Sequence, residues 1–513
     1  MRVLFFVDRP GVLRQYASLV TELAERGHDV HLALRSEADE DQRPQVERLV
    51  GASPHITSGP APARPEDDGW RIVGWTVRAL GDLARYAGPR YADAPALRAR
   101  VRDKVVGRLE RADDLGPLGG RVAPRVARRL AAGDAALAER VIRFARRAER
   151  AIPSSPAIDA YVREQAPDVV LVTSVVKVAS PQVEFLKSAR RLGIPAASCV
   201  ASWDNLTNKG LLKWVPERVF VWNEVQRHEA IELHGIPPER VSATGAQLFD
   251  TWFERRASTT REELVRRMGL DAARPYVLFL GSSPFVTNHS ADEVRFVERW
   301  LEGLRASPDE RVRRVGVAVR PHPVGKGWRD ADLSRFENVA IWPRHSERPV
   351  SPEEHDTFYD QLAHSAAVVG INTTAMIEAA VIGKSVLTVL APELGQESTL
   401  HFHYLREENG GFLHVARTLE EHAQQLAGVL EHRAEDAERR RRFVESFVRP
   451  HGLDRPATPI FADAVEALAR EPVARWRPSP LRPLLALEAA LSGKPRRRAK
   501  ANLPSLQSRP GEP

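Results

Sequence analysis

The stretch Val368–Leu390, VVGINTTAMIEAAVIGKSVLTVL, constrains the fold of this 513-residue chain more than any other. An apolar run over Ala366–Val369 meets Gly370 and a polar Asn372-Thr373-Thr374 cluster. A helix-like AMIEAAVI follows, stopped by Gly383, and a second apolar run begins near Ser385. That is strand, turn, helix, turn and strand in about two dozen residues, and a helical crossover of this length joins parallel strands. Asn and Thr at a helix start cap its orphan amides, and those amides with the helix dipole form an anion site. Glu378 lies four residues after Thr374, on the same helix face and one turn deeper. Phosphate at the cap and a sugar diol at the carboxylate fit a nucleoside diphosphate. An ordinary capped unit with a solvated Glu fits the same residues.

The same alternation runs through most of the chain. Val3–Val7 reads as a buried strand, Val12–Arg26 as a helix and Val30–Leu34 as a second strand. Glu37–Asp68 is acidic and Pro-rich, the composition of a mobile loop. Trp70–Ile152 is helical by pattern, offers no strand candidate and reads as an insertion. Alternation resumes with strands Val169–Val172, Ala196–Val200, Arg218–Trp222 and Val241–Thr244, and Gly245–Trp252 reads as a hinge. A second series has strands Tyr276–Leu280, Val315–Val319 and Val339–Trp342 before the opening segment. The expected class is therefore α/β, with two facing Rossmann-like domains, a helical insertion in the first and a flexible basic tail. The domains are 1–245 with the insertion at 70–152, then 246–470, then the tail 471–513, in which the Leu/Ala stretch Leu481–Leu491 fits an amphipathic surface helix.

Composition narrows the setting. Apolar residues make up 43% of the chain, enough for a globular core. The single cysteine, Cys199, rules out an internal disulfide and suits a reducing compartment. No apolar stretch approaches the roughly 18–20 residues of a membrane span, and the opening MRVLFFVDRPG lacks a secretory pattern. The expected location is the cytoplasm. The net charge of +7 is unevenly spread: 71–150 carries 19 basic and 9 acidic residues, and the tail carries 9 basic and 3 acidic. A basic insertion and tail on an acidic body suit an anionic surface, peripherally at the inner face of the membrane. Solvated Arg-rich helix faces account for the charge equally. Nucleic acid is not expected, because aromatics are sparse after Tyr91.

In open parallel sheets ligands bind beyond the carboxyl ends of strands, so polar residues just after strands are the candidates. In the second domain these are Gly281-Ser282-Ser283, small enough for backbone to approach phosphate, and Arg320-Pro321-His322-Pro323, where Arg320 is a bidentate phosphate partner. Arg344 and His345, after a short strand, and Asn372, Thr373, Thr374 and Glu378 complete the set. In the first domain the loop Ala201–Gly210, ASWDNLTNKG, is the densest polar and aromatic stretch. Trp203 can face a sugar ring, Asp204 can accept a proton, Asn205 can orient hydroxyls, and Lys209 closes the loop. Asp8, Arg9 and Ser174 face the same crevice. HExxH, paired CxxC, GxSxG and a GxGxxG after the first strand are all absent, which argues against zinc-protease, serine-hydrolase and nicotinamide chemistry. The pair His401 and His403 reads as a polar loop.

With these residues in hand, the chain resembles glycosyltransferases of the GT-B architecture. The NTTAMIEAAVIGKSV segment is similar to that superfamily's donor-binding element, in which the helix start meets diphosphate and a Glu meets ribose. Arg320-Pro321-His322-Pro323 with that segment is also similar to bacterial CDP-glycerol glycerophosphotransferases, and more loosely to UDP-N-acetylglucosamine 2-epimerases. SWDNLTNKG resembles a loop of bacterial surface-polysaccharide transferases. The resemblance implies a metal-independent enzyme without a cofactor that moves a sugar from a nucleotide-diphosphate donor to a glycan or lipid-linked acceptor in cell-envelope polysaccharide synthesis. In that reading Asp204, then Asp8, is the base; Arg320 and His322 stabilise the leaving group; Glu378 holds the ribose. The alternatives are a CDP-polyol phosphotransferase, a UDP-sugar 2-epimerase and a non-catalytic scaffold of the same fold. The chain departs from the resemblance in its first loop, Asp8-Arg9-Pro10-Gly11, and in the insertion.

Overall fold

The computed structural model describes residues 1–35, 43–173, 175–282, 290–323, 326–344, 352–431 and 436–492. Two wholly parallel sheets organise it. The first has seven strands, β1 (Arg2–Val7), β2 (Asp29–Leu34), β3 (Ile56–Pro60), β4 (Val169–Thr173), β5 (Ala196–Cys199), β6 (Arg218–Val221) and β7 (Val241–Ala243), in the order β3-β2-β1-β4-β5-β6-β7. The second has six, β8 (Tyr276–Leu280), β9 (Gly316–Arg320), β10 (Val339–Ile341), β11 (Ala367–Gly370), β12 (Val386–Val389) and β13 (His414–Ala416), in the order β10-β9-β8-β11-β12-β13. Helices cover both faces, so central strands are apolar at every position. Val3–Val7 and Tyr276–Leu280 are buried throughout, as expected of parallel strands. In both sheets the order reverses beside the first strand of the domain, placing the topological switch points at β1/β4 and β8/β11.

Where the sequence suggests a mobile loop over 37–68, the described part holds the helix Arg43–Ala52 and edge strand β3. Only Ile56 of that strand is buried, and it ends in Pro60, so little apolar pattern betrays it. Residues 36–42 lie outside the described residues. The insertion is four helices, Gly69–Ala87, Pro95–Arg111, Pro117–Ala131 and Ala135–Glu149. It is fastened to the first domain by a buried ion cluster: Arg78 is bidentate to Glu149 at 2.7–2.9 Å and also reaches Glu184, while Lys187 lies 2.5 Å from Glu149. Removing one partner from such a cluster costs about 3–5 kcal/mol, so the insertion is part of the first domain and not an appendage.

The chain crosses between domains twice, side by side. Asp250 accepts from Arg449 at 2.9–3.1 Å and from the Ala457 and Thr458 amides at 3.0 and 2.7 Å, capping the Ala457–Leu468 helix. Gly245 has φ 88°, and a Cβ there would come 2.5 Å from that of Ala457. The expected hinge is thus clasped by the return crossing. The Ala457–Leu468 helix, assigned by the sequence boundary at 470 to the second domain, packs Phe461, Val465 and Leu468 into the first-domain core. In the tail the Trp476 ring meets Trp214 at 5.3 Å, and the stretch expected as a surface helix forms one at Arg482–Ala490, which packs on the insertion with Leu485 and Ala489 against Val73 and Val77.

Candidate functional site

The second-domain candidates converge at the ends of β8, β9 and β11. Gly281 lies directly under Arg320-Pro321-His322, and a Cβ on it would stand 2.6 Å from the His322 backbone nitrogen. Only glycine lets these strand ends close up. Beside it the Ser282 amide donates to Glu293 at 2.6 Å, and the Ser282 hydroxyl accepts the Asn372 amide at 3.2 Å. Both amides are therefore committed within the protein. Glu293, whose other oxygen takes the Trp328 indole N–H at 2.7 Å, is pushed up to about 7 by burial. The Asn372 side chain donates to Thr399 at 2.9 Å.

The helix after Thr374, Ala375–Val381, is seven residues long, and Thr374 makes no side-chain cap bond. The local anion site expected there is thus weak, and charge must come from side chains. Arg320 supplies it: its guanidinium donates to Gln361 and stacks 4.6 Å from the Phe358 ring centroid. Burial brings its pKa down to about 10, so it stays cationic near neutrality. Glu378 is pushed up to about 7 by burial, and the nearby guanidinium groups of Arg14, from the first domain, and Arg320 only partly offset this. His322 is partly exposed beside Arg320, whereas Arg344 turns away to the Ala331 carbonyl at 3.0 Å. Ser174, Ser283 and His345 lie outside the described residues.

The first-domain loop is built by the insertion. The guanidinium of Arg85 reaches the carbonyls of Leu206, Thr207, Lys209 and Gly210. The Tyr86 and Tyr91 hydroxyls donate to the Lys209 and Thr207 carbonyls, each at 2.9 Å. Asp82 receives the Leu211 amide at 2.6 Å and the Lys213 ammonium at 2.5 Å. Within the loop the Asn205 side chain donates to Asp204 at 3.1 Å and accepts the Ala201 amide at 3.3 Å. Burial raises the Asp204 carboxyl, but Lys209, 3.7 Å away, and His401 outweigh it and bring the pKa down to about 2. Asp8 is buried and gripped by Arg35 at 2.6 Å and by Lys177, a geometry of charge neutralisation. Arg9, next to it, is exposed.

These two sets meet. Trp203, which the sequence suggests as a sugar platform, is 3% exposed and packs with second-domain core residues including Met376 and Phe402. Its indole N–H donates to the Thr374 hydroxyl at 3.1 Å, and its ring meets His401 edge-on at 4.4 Å. His401 in turn lies 3.3 Å from the Thr207 hydroxyl. The segment after β11 and the polar loop, 171 positions apart at the Trp203–Thr374 bond, thus meet.

Four residues that sequence reasoning passed over join them. His401 is brought down to about 4 by burial and is neutral near pH 7. Glu229 is 2% exposed and pushed up to about 8 by burial, with Tyr404 and Arg85 pulling it down and Asp204 adding to the rise. Arg85 and Arg14 complete the group. Asp204 and Glu229 are neighbouring carboxyl groups driven far apart in acidity, the pattern that separates a carboxylate from a carboxylic acid at one pH. A strand-end search cannot find them: Glu229 and Arg85 lie inside helices, and His401 comes from the 3-10 helix Leu400–Leu405, outside the sheet.

No protein-family model and no curated protein matches this sequence. Solved structures do match in shape. A glycosyltransferase from Rickettsia africae superposes with a TM-score of 0.50 at 10% identity, over 92% of this chain and 99% of that one. A UDP-GlcNAc 2-epimerase from Methanocaldococcus jannaschii superposes with a TM-score of 0.50 at 11% identity, over 91% and 100%. At such identity the likeness is one of fold. Two Rossmann-like domains, each a parallel sheet with one switch point, meeting where Trp203 of the first reaches Thr374 of the second, give this chain the GT-B fold.

Proposed function

We propose that this protein is a glycosyltransferase that moves a sugar from a nucleotide-diphosphate donor to a hydroxyl of a glycan or lipid-linked acceptor used at the cell envelope. One observation carries the reading: Trp203 and Thr207 of the first-domain loop bond to Thr374 and His401 of the second, beside Glu378, Arg320 and Arg14. A polar acceptor wall and a cationic donor wall are thereby one surface.

In this reading the ribose diol lies against Glu378 and the diphosphate against Arg320, with His322 alongside. The acceptor hydroxyl attacks the anomeric carbon, the bond to the diphosphate oxygen breaks, and the negative charge developing there is met by Arg320 and Arg14. No metal or cofactor is required for that step. Asp204 takes the acceptor proton. Its pKa of about 2 makes it a weak base, so the proton moves late, once the hydroxyl oxygen has begun to bond to carbon. Asp8, paired with two cations, is less suited to the task.

A UDP-sugar 2-epimerase is the second reading, since a protein of that name shares the fold to the same degree. A product assay separates the two. Incubation with nucleotide sugars and a polyprenyl-phosphate-linked sugar acceptor is expected to release nucleoside diphosphate only when acceptor is present. Epimerised sugar without acceptor would favour the second reading, and release of CMP from a CDP-polyol would favour a phosphotransferase.

A further inference from the structure

Six large apolar side chains are well exposed among the described residues: Leu118, Val122, Phe144, Leu484, Leu487 and Leu491. Singly exposed leucines need no explanation, but four of these six lie on two helices that touch, and a fifth, Leu491, caps the end of one of them. The Glu488 carboxylate accepts the Leu118 and Gly119 amides at 3.2 and 2.7 Å, and the Ser492 hydroxyl accepts the Gly116 amide at 3.0 Å. The start of the Pro117–Ala131 helix is thus seated on the Arg482–Ala490 helix at Glu488. Leu484, Leu487 and Leu491 lie at i, i+3 and i+7, on one face beside that contact. They are 49%, 58% and 51% exposed, while Leu485 and Ala489 are buried on the opposite side. On the partner helix, Leu118 and Val122 are followed at the same spacing by exposed Arg125 and Arg129, flanked by exposed Arg121 and Arg128.

We propose that this two-helix face docks on an anionic lipid bilayer, with the leucines entering the headgroup boundary and the arginines pairing with lipid phosphates. The charge pattern selects the occupant. An apolar stripe continued by a row of arginines matches an interface of acyl chain and phosphate, whereas a second copy of the chain would set those arginines against each other. Past Ser492 the sequence adds Lys494, Arg496, Arg497, Arg498 and Lys500 within seven residues, and each basic residue near an anionic surface adds to the attraction. The proposal deepens the lipid-linked acceptor reading and rests on it for the cleft's orientation. The Gly69–Ala87 helix, which packs on the Arg482–Ala490 helix, also holds the 206–210 loop through Arg85 and Tyr86. A docked insertion would set that loop, and Asp204 within it, at a fixed height above the membrane.

The test is flotation of the full chain with vesicles of phosphatidylcholine containing about 30% phosphatidylglycerol, against phosphatidylcholine alone. Co-flotation with the anionic vesicles only, weakened at high salt, is expected. It should fall at least tenfold in the Leu487→Ser/Leu491→Ser variant, whose far-UV spectrum and nucleotide-sugar affinity stay unchanged. The Arg125→Glu/Arg129→Glu variant should lose the preference for anionic vesicles. Failure to float, or flotation indifferent to the leucine change, would overturn the proposal. A concentration-dependent dimer abolished by the same change would also overturn it, by assigning the face to a second copy. Nucleotide-sugar affinity is read separately, so loss of the donor reading would appear there and not in flotation.

Discussion

Glu378 lies close to two guanidinium groups drawn from different domains, Arg14 and Arg320, yet burial still holds its acidity at about 7. A carboxyl raised from 4.5 in this way contributes stability below its unfolded pKa that is lost as pH rises through about 7. The thermal midpoint of the Glu378→Gln variant is therefore expected to gain on wild type between pH 5 and pH 8. If the ionised form binds the ribose diol, affinity for a UDP-sugar in wild type should rise over the same interval, and in Glu378→Gln it should stay level. Asp204 sets a different expectation. With its pKa near 2 it is ionised throughout that range, so kcat at saturating donor should be flat while kcat/KM follows Glu378. A kcat limb near pH 8 would point to Glu229 instead. Gly281→Ala places a methyl 2.6 Å from the His322 backbone nitrogen and is expected to cost about 1–3 kcal/mol, read as a lower midpoint together with weaker donor binding.

At the scale of elements, the 201–210 loop owes its shape to a helix about 120 residues away in sequence. Replacing Arg85 by Met removes the donor to four carbonyls and should destabilise the protein by at least about 3 kcal/mol, since buried hydrogen bonds from a charged group are each worth about 1.5–3. Activity at low temperature should fall further than donor affinity, because the loop belongs to the acceptor side. Central strands were legible because parallel strands buried on both faces are continuous apolar runs, as at Val3–Val7 and Val169–Val172. Edge strands β3 and β13 were not: Ile56–Pro60 buries one residue and His414–Ala416 is three residues long. Arg320 and Asn372, at strand ends, and Glu378, one turn into the helix that follows, could be picked out from position in the pattern. Arg14, Arg85, Glu229 and His401 could not, since they reach the cleft through packing that no local spacing encodes. Trp203 could be found but not placed, because an aromatic in a polar loop reads alike whether it faces solvent or wedges into a neighbouring domain.

For the whole molecule, the two crossings at 245–250 and 448–458 decide how the domains stand to each other. Asp250 ties both, and Asn223 adds a bond to the Phe447 carbonyl at 2.6 Å. Asp250→Ala leaves Arg449 buried without its partner and uncaps a helix, a combined cost of about 3–5 kcal/mol. Separation of one calorimetric transition into two is the expected result. Because the cleft's charge is met by side chains of the chain itself, activity is expected to be unchanged by EDTA treatment.

Whether Glu378 and Arg320 hold a nucleotide-diphosphate sugar between the domains is read by calorimetric titration. Wild type, Glu378→Ala and Arg320→Ala would each be titrated with the UDP-, GDP-, CDP- and ADP-sugars. One nucleotide sugar is expected to bind wild type, and each variant to lose at least tenfold in affinity, about 1.4 kcal/mol. Binding of equal strength in all three proteins, or of none of the four compounds to wild type, would contradict it.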